Sequence, residues 1–133
     1  MHFKKSFSYD DGGRSKYYRS KKSSNDCVVR SIAIAFNQDY KKTLIDLCNF
    51  TIDHGEPFNS KHIYEKYLFS KGWVKYKTLT KPNNKKYRIS ELPLNNNCLI
   101  STRRHLTVLL NQTIRDLWDT RSEIAYNYYI KNE

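Results

Sequence analysis

The residues of this chain best placed to do chemistry are Cys27, His105 and Asp119, in that order along 133 residues. Cys27 stands in Ser24-Asn25-Asp26-Cys27-Val28-Val29-Arg30, where polar capping residues give way to an apolar helical run. In the first turn of a helix, free backbone N–H groups and the helix dipole favour a thiolate, and the same N–H groups can stabilise an oxyanion. His105 opens the strand-like run His105-Leu106-Thr107-Val108-Leu109-Leu110. Its imidazole, with an ordinary pKa near about 6.5, suits proton transfer at neutral pH. Asp119 closes the next such run, Thr113-Ile114-Arg115-Asp116-Leu117-Trp118-Asp119. A thiol, an imidazole and a carboxylate so disposed are a nucleophile, its base and an orienting acid. Cys48, late in a helix, and Cys98, at a strand start, read as core residues. His2, His54 and His62 are weaker bases: a terminus, a loop and a helix face.

Two carboxylates compete for His105, and hairpin register decides between them. A two-residue turn at Asn111-Gln112 sets Leu110 opposite Thr113 and His105 opposite Trp118. Asp116 then shares the His105 face diagonally and Asp119 points away. A three-residue loop, Asn111-Gln112-Thr113, instead sets His105 opposite Asp119.

The elements that must position these groups follow from periodicity and punctuation. A helix is expected from about Asp26 to Phe36, with so broad an apolar band (Val28, Val29, Ile32, Ala33, Ala35, Phe36) that it reads as central and buried. A second helix is expected over Tyr40 to Cys48, with Tyr40, Leu44, Leu47 and Cys48 inward. A third runs from about Ser60 to Ser70, with Gly72 as its stop. Strand-like runs follow at Trp73–Tyr76, Cys98–Ser101, His105–Leu110, Thr113–Trp118 and Ile124–Ile130, the last with Ile124, Tyr126, Tyr128 and Ile130 on one face. Ile89 to Leu94 reads as an extended or helical-turn linker. Helices first and an antiparallel sheet after is an α+β layout. Residues 1–23 read as a basic arm with the turn signal Asp11-Gly12-Gly13, flexible unless its aromatics pack back.

Composition bounds the rest. The length suits one domain. No run of 18 apolar residues exists, so no membrane span is expected, and the charged N-terminus lacks a signal-peptide core. Cytoplasmic residence is the expectation. Three widely spaced cysteines without a C-x-x-C pair point to reduced thiols, with neither a metal nor another cofactor expected. The net charge of +11 is uneven: residues 1–23 and 71–88 each hold seven Lys/Arg. Such stretches, with Arg103-Arg104, can bind an acidic protein or nucleic acid, or can simply be solvated.

Asp-Cys opening an apolar helix, followed much later by His-Leu-Thr-Val-Leu-Leu and Asp-Leu-Trp-Asp-Thr, resembles the papain-like cysteine peptidase superfamily. It looks closest to small bacteriophage and bacterial members related to C39-type peptidases. The resemblance covers about residues 24–130 in the order of elements, and transglutaminase-like members carry a similar His-to-Asp strand pair with Trp near the acid. It implies helices on an antiparallel sheet, with Cys27 as nucleophile, His105 as base and Asp119 as orienting acid. It implies a peptide or protein substrate, and a host-cytoplasmic protein if phage-encoded. The sequence departs from that pattern at Lys21, where such enzymes carry an oxyanion-hole Gln, and at Val28, where a Gly often follows the Cys. Asn25 or the Cys27 backbone N–H is then the candidate donor.

Two other classes stand beside the thiol enzyme. One is a non-enzymatic basic binding protein, such as a phage-encoded inhibitor of a host defence protein or a nucleic-acid binder with stacking tyrosines. That reading expects Cys27 sealed in the core, where the enzyme expects it beside His105 in a cleft. The other is a zinc site of Cys27, His105 and Asp119, which no short paired-ligand motif supports.

Overall fold

The computed structural model describes residues 4–19 and 25–132. Strand β1 (Ser6–Tyr9) is followed by helices α1 (Cys27–Phe36), α2 (Tyr40–His54) and α3 (Lys61–Ser70). Strands β2 (Trp73–Lys77), β3 (Cys98–Ser101), β4 (Leu106–Leu110), β5 (Thr113–Asp116) and β6 (Asn127–Lys131) complete the order, with single 3-10 turns at Arg14–Lys16 and Ile89–Glu91. The six strands form one sheet in the order β1-β5-β4-β3-β6-β2. The protein is α+β. Among the described residues no helix is long and apolar enough to cross a membrane.

Residues alternate across the sheet because successive side chains point to opposite faces. Leu99, Leu106, Val108 and Tyr129 join Val28, Ile32, Leu47, Tyr67 and Leu68 in the core beneath the helices. Cys98, Ile100, Leu109 and Ile114 join Ile89, Leu92 and Ala125 in a second cluster. On β6, Tyr129 is fully buried in the first cluster, while Tyr128 and Ile130 are half-buried against the second. The alternation expected there is real, but its more buried face is the opposite one.

α1 is central, with Val28 through Ala33 all buried. Ser31 Oγ donates to the Leu106 carbonyl at 2.7 Å, tying the helix to the start of β4. α2 runs well beyond the expected end at Cys48. Asp39 caps it, accepting from the Lys42 N–H at 3.2 Å, and Gly55 ends it at φ 74°. Its buried positions Tyr40, Thr43 and Leu47, then half-buried Phe50, keep one helical stripe. A polar Thr in that stripe dilutes the apolar signal.

The basic arm is the main departure. Its described part supplies β1, which pairs parallel to β5 from Ser6↔Thr113 to Tyr9↔Asp116. The sheet is therefore mixed rather than antiparallel. After β1 the chain turns at Gly12, whose φ is 68° and whose absent side chain lets it approach α1. A Cβ there would lie 2.9 Å from both the Cα and the carbonyl oxygen of Arg30. Gly12→Ala is expected to cost about 2 kcal/mol through overpacking against helix backbone at a left-handed φ. Urea unfolding of the two proteins checks this, and equal midpoints would contradict it.

Candidate active site

Cys27 is the first residue of α1, so its thiol sits where backbone N–H groups lack helical acceptors. It is partly exposed, as is Cys48, while Cys98 is buried; all three are free thiols. The site's second part is held by two hairpins. The β3–β4 connection closes through the Thr102 N–H donating to the His105 carbonyl at 2.9 Å, which leaves Arg103 and Arg104 exposed at the tip. This fixes His105 one residue ahead of β4. The β4–β5 connection is the two-residue turn, with Asn111 at φ 50° and Gln112 at φ 63°. Both residues in left-handed conformation make it the hairpin turn that matches strand twist.

That turn decides which carboxylate meets His105. Leu110 pairs with Thr113 and Val108 with Arg115. His105 and Trp118 rings meet at 4.5 Å between centroids. His105 Nε2 lies 2.6 Å from Asp116 Oδ2. Asp119, the residue favoured by the resemblance, does not meet His105. Its half-exposed carboxylate holds Arg121, with Nη2 2.8 Å from Oδ2. Arg121 in turn donates to the Lys5 carbonyl at 2.8 Å, so Asp119 serves the docking of the N-terminal strand.

With Nε2 turned to Asp116, Nδ1 is the His105 ring nitrogen left for Cys27, and the thiol and imidazole line the same cleft and shift one another's proton affinity. Burial would raise the thiol pKa. The hydrogen bond to His105, one from the Leu106 backbone N–H, and the charges of His105 and Arg30 outweigh burial and bring it below its ordinary value. Burial would likewise lower His105. Its hydrogen bonds to Asp116 and Cys27 and their charges instead push it up to about 9. Asp116, despite its burial, is held below the usual carboxylate range by the His105 hydrogen bond and charge. Imidazolium and thiolate therefore stabilise one another across this contact.

Behind the three lies a group that the sequence did not single out. Arg30 is 2% exposed, and its guanidinium bridges two buried carboxylates. Nη1 donates to Asp116 Oδ1 at 3.1 Å and Nε to Asp26 Oδ1 at 2.8 Å. Asp26 also accepts from Tyr40 Oη at 2.8 Å and lies 3.6 Å from Arg14 Nε. Arg30 thus occupies one Asp116 oxygen and leaves the other to His105. The available signal was a lone charge inside the apolar band of α1.

Cys27 and His105 open onto two adjoining cavities of about 760 Å³ and 560 Å³, which also share Thr102, Arg103, Arg104 and Tyr126. Exposed Asn25, at φ 56°, lines the larger one and remains a candidate oxyanion donor beside the Cys27 backbone N–H. Lys21 lies outside the described residues, as does His2. His54 Nδ1 contacts the Phe50 carbonyl of its own helix at 2.9 Å, and His62 pairs with Glu56; both are exposed. Among the described residues no three His, Cys, Asp or Glu side chains are grouped to hold a metal ion. Comparison of the chain with protein-family models, curated proteins and solved structures finds no match.

Proposed function

We propose that this protein is a cysteine peptidase or related thiol acyl-transfer enzyme of papain-like build, with Cys27 as nucleophile, His105 as acid and base, and Asp116 as orienting acid. The observation that carries this reading is a helix-start thiol lining the same cleft as His105, whose Nε2 lies 2.6 Å from a buried carboxylate. Its opening onto a cleft favours an enzyme over a binding protein whose Cys27 would be sealed in. The order of elements also supports papain-like build: the thiol heads the central helix, and base and acid lie on paired strands with Trp118 beside the base. Three unpaired thiols suit a reducing, cytoplasmic setting.

In the mechanism, the Cys27 thiolate attacks the substrate carbonyl carbon, forming a C–S bond while the oxygen takes the negative charge. The Cys27 backbone N–H and Asn25, which lines the larger cavity, are the candidate donors to that oxygen. His105 gives its proton to the leaving nitrogen as the C–N bond breaks, leaving a thioester. Water, or an acceptor amine, then attacks the thioester as His105 takes its proton. Breaking the C–S bond regenerates the thiolate beside a protonated His105. Asp116 holds the ring in position and stabilises its cationic form.

The test is iodoacetamide labelling of each cysteine between pH 5 and 9, in the native protein and in His105→Ala. Cys27 is expected to label rapidly at pH values where an ordinary thiol is protonated, and to lose that advantage without His105. Turnover should add an alkaline limb near about 9, where His105 loses the proton the leaving group needs, while alkylation stays fast there. The stability linkage has a definite sign. Because His105 is raised from 6.5 to about 9, its favourable contribution is full below pH 6.5 and is lost as pH rises through about 9. Cys27 labelling no faster than an ordinary thiol would overturn the reading.

A further inference from the structure

We propose that the cleft takes an acidic peptide, its carboxylates held by Lys61, Arg103 and Arg104 in the smaller arm. This rests on the thiol acyl-transfer reading and names the substrate class of that site.

The cations differ in whether they have carboxylate partners. Arg14, Arg30, Arg115 and Arg121 each pair with a carboxylate. Arg103 and Arg104, at the hairpin tip beside His105, pair with none among the described residues, and neither does Lys61 at the start of α3. All three are exposed, and all three line the 560 Å³ arm together with Cys27 and Tyr64. Glu65, whose charge reaches Lys61, is already held by Lys75 at 2.8 Å and by the Tyr129 hydroxyl at 2.6 Å. Partial desolvation and the like charge of Lys75 lower the Lys61 pKa from its ordinary value, and a carboxylate beside it would offset both. No acidic side chain lines this arm.

The larger arm differs. Arg103 and Arg104 reach it too, but Glu123 also lines it and accepts from Trp118 Nε1 at 3.3 Å, so the positive field is partly offset there. The two arms meet at Cys27, a shape that suits an extended chain lying across the nucleophile rather than a compact ligand. An anionic peptide also fits better than a nucleic acid. The thiolate needs an acyl carbon, and the cations gather where the two arms join, with Lys61 in the smaller one, instead of tracking a backbone. Carboxylates drawn into that arm gain from its concave, one-signed field.

The experiment protects Cys27 from iodoacetamide at low ionic strength, using the full chain and per-cysteine mass spectrometry. The protectants are a short glutamate–alanine peptide, its lysine–alanine counterpart and an oligothymidylate of matching charge. The glutamate peptide is expected to slow Cys27 labelling about tenfold when present at about ten times its dissociation constant. The lysine peptide should leave the rate unchanged, and the oligothymidylate should protect less. Protection should weaken with salt, and it should fall severalfold in Arg103→Gln/Arg104→Gln. Lys61→Gln, on a separate element, should weaken it too, and serves if the double variant fails to fold. Fast Cys27 labelling with no protection by the glutamate peptide, or better protection by either other probe, overturns the acidic-peptide proposal and leaves the thiol reading standing. Slow labelling of unprotected Cys27 takes both down.

Discussion

Replacing Asp116 with asparagine is expected to lower Cys27-dependent turnover by roughly a thousandfold, while Asp119→Asn leaves turnover within about twofold of the parent. An asparagine at 116 keeps the shape of the contact at 2.6 Å from His105 Nε2 but loses the negative charge. The imidazolium that must accompany the thiolate then has no counterion on that side. Burial of the ring, no longer offset by Asp116, drags the His105 pKa down, and the alkaline limb near about 9 should move to lower pH with it. Asp119 faces Arg121 instead, with its carboxylate half-exposed. Its loss should show as a small decrease in stability, through weaker docking of the N-terminal strand. Turnover and urea midpoints of both variants separate these outcomes. Equal losses of turnover at the two positions would return the orienting role to Asp119.

The same pair of residues shows where sequence reading reached its limit. Cys27 at a helix start and His105 ahead of an apolar strand were legible, because each depends on local capping and local alternation. The acid was not, because it depends on one residue of hairpin register. That register is set by Asn111 and Gln112 both adopting left-handed backbone. Asn does so readily; a following Gln gives no such signal in place of the glycine usually found there. β1 was missed for a different reason. Ser6-Phe7-Ser8-Tyr9 is too short to show a period, and its partner β5 begins at Thr113, far along the chain. Parallel pairing at that separation leaves no local trace. The α+β layout, the central α1 and the stop at Gly72 were all readable, since each follows from apolar spacing and punctuation. Arg30 escaped because a charge on an apolar helix reads as a solvated exception, unless its two carboxylate partners are already known.

That buried arginine carries the largest expected effect on stability. Arg30→Met keeps the length and apolar stem of the side chain but strips Asp116 and Asp26 of their shared cation. Removing one partner of a buried ion pair costs about 3–5 kcal/mol, because the partner left behind stays desolvated and unpaired. Here two carboxylates are left, although His105 still holds Asp116, and Tyr40 and Arg14 still hold Asp26. Against a typical stability of about 5–15 kcal/mol, such a loss should be plain in a urea melt. The cause is separable by a second change. Adding Asp26→Asn removes one orphaned charge, so Arg30→Met/Asp26→Asn should be less destabilised than the sum of the single variants. Strict additivity would mean that Arg30 acts by filling space. Function gives an independent readout. With Oδ1 of Asp116 released, the carboxylate is free to rotate away from His105. Iodoacetamide labelling of Cys27 in folded Arg30→Met should therefore lose part of its low-pH advantage. Arg30→Lys, which can reach only one carboxylate at a time, should fall between the parent and the methionine variant in both measurements.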